Sequence, residues 1–358
     1  MQPGVYRGIS NADYHGGDGH SKSGLDLVRK SPAHLRHARA NPSERTPTPS
    51  QRLGTAFHAL VLEPELFAQS YALPFVAPEG ALSSVDDMKA ALESVGVKLP
   101  SKAKKADFED AVRASLPDAV LLSDARKAYD EANEGREVLS PEDWQRIHDM
   151  RDAVMAHPAA RKLLTAPGEA ELSAYWEEPV VDPTTGEALV DEDGNPVTMA
   201  MRCRPDFWRH DGILVDLKST SPGNAHPEEF ARSVYDWRYY VQHPLYLRGA
   251  AAALRAAQDR HAAGEGDDFS MYETPRAFVF VAVETDACVV DGEPKGVAVY
   301  QLQPDSVALG EAEIREDVYT LHRCITSGKW PGYARAILPL ELPPYAFTKA
   351  AARMGAAA

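Results

Sequence analysis

Two aspartates and a lysine lie close together in the chain, within Cys203-Arg204-Pro205-Asp206 and Asp216-Leu217-Lys218-Ser219-Thr220. Ile213, Val215 and Leu217 alternate with Leu214, Asp216 and Lys218, the pattern of a strand with one apolar face and one face carrying a carboxylate and an amine. The preceding run, Met201 to Trp208, reaches this strand through His210-Asp211-Gly212, which suits a three-residue hairpin loop with glycine in the left-handed position. In that register Asp206 faces Asp216, and cross-strand Cβ atoms on one face are about 4.5–5.5 Å apart. A two-residue Asp-Gly loop would instead pair Asp206 with Leu217 and split the carboxylates between faces.

Paired carboxylates repel, which calls for a cation between them, and oxygen ligands favour a hard ion such as Mg²⁺, with Mn²⁺ as a substitute. Such an ion would polarise a phosphate and lower the pKa of a bound water. Lys218 would orient or deprotonate that water, or offset charge on a pentacovalent phosphate. The competing interpretation is an ordinary ion pair on a hairpin.

Other elements must position this group. Leu53 to Leu62 has helical spacing, with Gly54 and His58 one turn apart on one face. A histidine on an apolar helix is more often a core residue than a ligand. Gln242 and Tyr246 have the same i,i+4 spacing, just after the aromatic cluster Trp237, Tyr239 and Tyr240. Pro244 between them conflicts with a helix interior unless the helix begins near Tyr240. Ser327 to Tyr333 is rich in turn formers and aromatics.

In this order the elements resemble the RecE (exonuclease VIII) branch of the PD-(D/E)xK nucleases, related to the RecB nuclease domain and to lambda exonuclease. The resemblance runs through Ser21-Lys22-Ser23, Lys30-Ser31-Pro32, Gly54-xxx-His58, Arg204-Pro205-Asp206, Asp216-Leu217-Lys218, Gln242-xxx-Tyr246 and Trp330-Pro331-Gly332-Tyr333. It implies an α/β restriction-endonuclease-like core, a central mixed sheet flanked by helices. It further implies a metal held by His58, Asp206, Asp216 and the backbone carbonyl of Leu217, with Lys218 catalytic. Glu171, at the start of the strand-like run Glu171 to Trp176, falls where these nucleases place another acidic residue; it is a candidate second-metal or water-holding group, or a solvated strand end. Gln242 and Tyr246 would help hold the scissile strand. The implied activity is Mg²⁺-dependent digestion of linear double-stranded DNA from its ends, 5′ to 3′, leaving overhangs for a RecT-like annealing protein. The implied assembly is a homo-oligomeric ring. Relatives that carry a four-cysteine iron–sulfur cluster are not matched in that respect, because this chain has only Cys203, Cys288 and Cys324.

Composition sets limits. With 358 residues and 44% hydrophobic content the chain can bury a substantial core. No apolar run of membrane-spanning length and no signal-peptide pattern is present, so a cytosolic protein is expected. The net charge of −15 runs against the basic excess usual for DNA binding. Binding responds to local potential, however, and Lys22, Arg29, Lys30, Arg36, Arg39, Arg52, Arg202 and Arg204 flank the motifs. Arg52 and Arg204 adjoin the candidate site, and Ser21, Ser23 and Thr220 are further candidate DNA contacts. Ser21 or Ser23 caps a helix, and that helix start could also take a phosphate.

Three regions are expected, with a tail at 346–358. Residues 1–75 read as the helical N-terminal part of the core, and 166–345 as its sheet, with strands at 171–176, 197–208, 213–219, 277–284 and 297–303 and helices at 227–236 and 240–260. Residues 76–165 read as a helical insertion. Within it, Met88–Val95 and Lys105–Ala114 form a helix–extended–helix unit, a DNA-binding type or a mobile insertion with a solvated face, and Pro141 to Leu164 one long helix capped by Ser140. Asp182 to Pro196 reads as a hairpin loop rather than an acidic metal site.

Overall fold

The structure, a computed structural model, describes residues 1–41, 48–342 and 347–348. The N-terminal part runs β1 (Gly4–Tyr6), α1 (Asn11–Gly16), α2 (Lys22–Lys30), α3 (Pro32–Ala40), α4 (Pro49–Leu62), α5 (Pro64–Ser70) and β2 (Tyr71–Ala72). Then come α6 (Val85–Ser94), α7 (Lys105–Ser115), α8 (Leu122–Ala132), β3 (Glu137–Val138), α9 (Pro141–Ala156) and α10 (Pro158–Leu164). The remainder is β4 (Gly168–Ala170), β5 (Ser173–Pro179), β6 (Thr198–Cys203), β7 (Phe207–Arg209), β8 (Ile213–Thr220), α11 (Pro227–Asp236), α12 (Tyr239–Ala262), β9 (Ala277–Val290), β10 (Glu293–Tyr300) and α13 (Pro304–Ser327).

The main sheet has the order β10-β9-β8-β7-β4, with β8 and β9 parallel and the other pairs antiparallel. It is the expected mixed sheet. Phe207 pairs with Val215 and Trp208 with Leu214, so the β7–β8 hairpin has the three-residue loop and Gly212 has a φ of 75°. The expected strand over 197–208 is in fact two. Pro205 has no N–H to give a ladder, and at Arg204-Pro205-Asp206 the chain leaves the β1-β5-β6 sheet and enters the main one. The facing run also breaks, at Glu171, whose φ is 56°, so Glu171 lies between two strands instead of opening one.

Register carries across this crease. Ala170 pairs with Phe207 on one side and Ala174 with Cys203 on the other, so the same count places Glu171 opposite Asp206. The Glu171 N–H donates to the Asp206 carbonyl at 3.2 Å. Since Phe207 also pairs with Val215, Asp206 falls between Glu171 and Asp216. Three carboxylates thus form one row across three chain segments.

Each face of the main sheet covers its own core. Val215, Leu217 and Val281 cluster with Phe57 of α4 and Ile147, Met150 and Val154 of α9. Leu214, Phe278 and Phe280 cluster with Val241 and Leu245 of α12 and Ile314 and Val318 of α13. Asp216 and Lys218 alternate onto the α12 side. Met88, Leu92, Phe108, Val112 and Leu121 form a third, separate cluster in the helix–extended–helix unit.

One expectation about the middle region changes. Pro141–Leu164 is two helices, because Pro158 cannot continue the first, although Ser140 caps it as expected by accepting from Asp143 N–H. Both helices pack into the core. Apolar spacing shows that a helix has a buried face without showing what covers it. Pro244 does sit inside α12, five residues after its start. The carbonyl of Tyr240 that it leaves without a helical donor lies against Gly310 of α13, where a Cβ would come within 2.2 Å of that oxygen. The expected tail at 346–358 lies outside the described residues apart from 347–348.

Candidate active site

Thr48 caps α4 in a reciprocal pair with Gln51, Pro49 starts the helix, and Gly54 faces β8 closely enough that a Cβ there would meet Ser219 Oγ at 3.1 Å. That close approach brings His58 to the strand. Its Nδ1 faces the Gly54 carbonyl at 2.7 Å, and its Nε2 is 2.6 Å from the Leu217 carbonyl and 3.4 Å from Asp206 Oδ2. Asp206 Oδ2 also accepts the Leu217 N–H at 2.6 Å. Asp216, only 1% exposed, has Lys218 Nζ 2.6 Å from Oδ2 and receives a hydrogen bond from Gln242 Nε2 on Oδ1. The Lys218 ammonium lies over the Tyr239 ring at 4.6 Å.

The electrostatics follow from three acids sharing two bases in a half-dry place. Burial and the charge of Asp206 lift Glu171 to about 8. Burial lifts Asp216 to about 6, helped by Asp206 and opposed by Lys218. Burial also works against a charge on Asp206, but the bond and charge of His58 and the charge of Lys218 outweigh it, and its pKa falls below the usual range. Burial opposes protonation of His58, yet Asp206 and the carbonyls of Gly54 and Leu217 raise it to about 9. Lys218 is raised too: burial opposes its charge, and Asp216 and Asp206 prevail. An ion pair built for stability lowers its acid; here two of the three acids are held high, the signature of a site organised for something else.

Of these residues His58, Glu171, Lys218 and Tyr239 line a cleft of about 1630 Å³ bordered also by Ser23, Thr220 and Trp237. Ser23 and Thr220 therefore stand at its edge. Ser21 flanks α2 without making a cap bond and is 3.0 Å from Ser23 through the two hydroxyls. Arg52 is exposed on α4, and neither it, Lys30 nor Arg36 has an ion-pair partner among the described residues.

Two expected DNA contacts are corrected. Arg204, with a side chain 6% exposed, donates to Ser173 Oγ at 2.9 Å, Asn11 Oδ1 at 2.8 Å and the Ile9 carbonyl at 2.8 Å, and covers the Tyr14 ring at 4.0 Å. Its guanidinium ties the N-terminal segment to the crease and is not offered to DNA. Gln242 is buried and directed at Asp216, so it orients a carboxylate rather than gripping a strand. Tyr246 packs on Phe278 with ring centroids 5.8 Å apart. Lys22, Arg29 and Arg202 are likewise engaged, with Asp26, with Glu316 and Asp317, and with the carbonyls of His15 and Asp18. The role of Tyr239 was hidden in the sequence, where it was one member of an aromatic cluster.

The donor chemistry fits a divalent cation. An imidazole nitrogen, a carboxylate and a carbonyl meet within 3.4 Å at His58, Asp206 and Leu217, and among the described residues the buried Asp216 Oδ2 has no properly directed hydrogen bond. The expected ligand set is corrected in one respect: among the described residues no three His, Cys, Asp or Glu side chains stand in a ready metal cage. Asp216 is turned to Lys218 and Gln242, so the protein's own cations offset the acids as it stands.

The mixed sheet, flanking helices and Asp/Asp/Lys hairpin define a PD-(D/E)xK-type nuclease domain. Residues 21–338 match the family described as PDDEXK-like domain of unknown function (DUF3799), and the chain belongs to that family. Among solved structures, a candidate exonuclease from Eubacterium rectale is 8% identical, with 94% of each chain covered and a TM-score of 0.45. The structure of SSO0001 is 13% identical over 75% of this chain and 86% of its own, with a TM-score of 0.22. No curated protein matches. Among the described residues no helix is long and apolar enough to cross a membrane.

Proposed function

We propose that the protein is a Mg²⁺-dependent exodeoxyribonuclease that digests linear double-stranded DNA 5′ to 3′ and leaves 3′ overhangs for a RecT-like annealing partner, working as a homo-oligomeric ring. The observation that carries this is the row Glu171, Asp206 and Asp216, with His58 beside Asp206, Lys218 beside Asp216, and Glu171, His58 and Lys218 lining one cleft. The cleft's 1630 Å³ exceeds the roughly 300–1,000 Å³ of small-molecule pockets and suits a polymer strand.

His58, Asp206, Asp216 and the Leu217 carbonyl would hold the cation, which when bound supplies phosphate polarisation and a more acidic water. The side chains do the rest. Lys218, held as an ammonium, offers positive charge to the phosphate undergoing attack. Gln242 fixes the Asp216 carboxylate, so its loss would disorder the ligand rather than the chemistry. Glu171 keeps a proton near neutral pH and can hold a water by donating to it.

The test is linear duplex labelled at its 5′ or 3′ ends beside a covalently closed circle, with and without Mg²⁺. Loss of 5′ label with 3′ single strands accumulating and the circle intact supports the proposal. A nicked circle makes the protein an endonuclease. Binding without Mg²⁺-dependent cutting makes it a DNA-binding or scaffold protein, and light scattering on the same sample tests the ring.

A further inference from the structure

The junction between α11 and α12 presents an indole that the chemistry above does not use. Trp237 is 66% exposed and borders the same cleft as Lys218, Ser219 and Tyr239. Its backbone is fixed on every side. The N–H bonds to the Ser233 carbonyl at 3.0 Å, and the carbonyl accepts from Lys22 Nζ at 2.5 Å. The next residue, Arg238, has a φ of 54° and is clamped by Asp26, Glu313 and Asp317 at 3.0, 2.7 and 2.6 Å. A left-handed, triply paired arginine thus fixes the backbone behind an exposed tryptophan that borders the cleft.

What stands next to the ring says what it meets. Lys218 places its ammonium group 4.6 Å from the Tyr239 ring, two residues from Trp237, while Lys22, 5.5 Å from the same ring, is taken up by Asp26 and the Trp237 carbonyl. An aromatic wall beside a cation is the pattern that takes a base on its face and a phosphate on its charge. Bases inside a duplex have both faces covered by their neighbours, so the indole is open to an unpaired base or to the outer face of a terminal pair.

We propose that Trp237 is a stacking platform for an unpaired base of the strand delivered to Lys218, so that the site takes a separated strand end rather than intact duplex. This rests on the nuclease function proposed above.

The experiment uses a 5′-phosphorylated single-stranded oligonucleotide with 2-aminopurine among its first bases, and the full chain as Lys218→Ala, alone and combined with Trp237→Ala or Trp237→Phe. Expected is quenched 2-aminopurine on the Lys218→Ala protein. Adding Trp237→Ala should relieve the quench and weaken binding about ten-fold, the size of one lost base–aromatic stack, and Phe should restore both. Equal quenching and affinity with and without the indole, while the wild-type protein digests linear duplex, overturns this inference and leaves the nuclease function standing. A wild-type protein that cuts no DNA overturns both. Trp237→Ala that binds DNA unchanged but loses binding to another protein assigns the ring to a protein contact and also overturns the inference.

Discussion

His243 follows Gln242 in α12, is 5% exposed, and has neither ring nitrogen hydrogen-bonded among the described residues; its ring lies 5.5 Å from that of Phe278. Burial lowers its pKa from 6.5 to about 4. The folded protein therefore keeps this imidazole neutral where the unfolded chain takes up a proton. Stability from the neutral ring is fully present above about pH 6.5 and is lost as pH falls toward about 4. At about 1.4 kcal/mol per pH unit the full loss is about 3 kcal/mol, most of it reached by about pH 4.5. His243→Leu, of similar size and apolar, removes this proton uptake and the two unpaired nitrogens. Urea unfolding followed by far-UV circular dichroism, at about pH 7.5 and about pH 4.5, should show the variant gaining about 2–3 kcal/mol on the wild type across that interval. His20, also lowered to about 4 by burial beside Arg39 and Arg202, is present in both proteins and cancels. Parallel pH profiles for the two proteins would refute the reasoning. Because α12 also carries Gln242 to Asp216, acid should loosen the site as it loosens the helix.

Four more outcomes are expected. Lys218→Met should abolish cleavage and also destabilise by about 3 kcal/mol, because it leaves the buried Asp216 carboxylate without its ammonium, whereas Asp216→Ala should abolish cleavage at a smaller cost, because the Lys218 side chain is 20% exposed and keeps contact with water; thermal melts alongside the end-label assay separate the two. Gly249→Ala places a Cβ 2.5 Å from the Trp176 ring and should cost about 1–3 kcal/mol in urea unfolding. Arg204→Met should lose about 3 kcal/mol of stability through its lost charged hydrogen bonds, measured by the same unfolding assay. Arg52→Gln should leave stability within about 0.5 kcal/mol and reduce the slope of DNA affinity against salt by about one, measured by fluorescence titration.

The β7–β8 hairpin was legible because its information is local: alternation over 213–218 and a glycine suited to the loop's left-handed position leave two registers, and the structure has the one with the three-residue loop. Helices α6, α7 and α11 were legible for the same reason, from apolar spacing bounded by caps and turns. The crease was not, since it depends on Glu171 meeting Asp206, a pairing between segments far apart in the chain. Spacing put Gln242 on a face of α12 but did not say that the face meets Asp216. Arg204 misled through its closeness in sequence to Asp206; its partners Asn11 and Ile9 come from the far N-terminus, and no local pattern announces them.

The continuous register across the crease has a consequence for how the chain tolerates changes of length. One residue gained or lost between the Ala170/Phe207 and Ala174/Cys203 pairs would break the shared count, turning β5 or β6 over relative to the acidic row. The hairpin tip from Asp182 to Pro196, held by its own turns through Asp182 and Asp191, lies outside that count. Extra sequence or a fused module can be accommodated there with the acidic row kept in line.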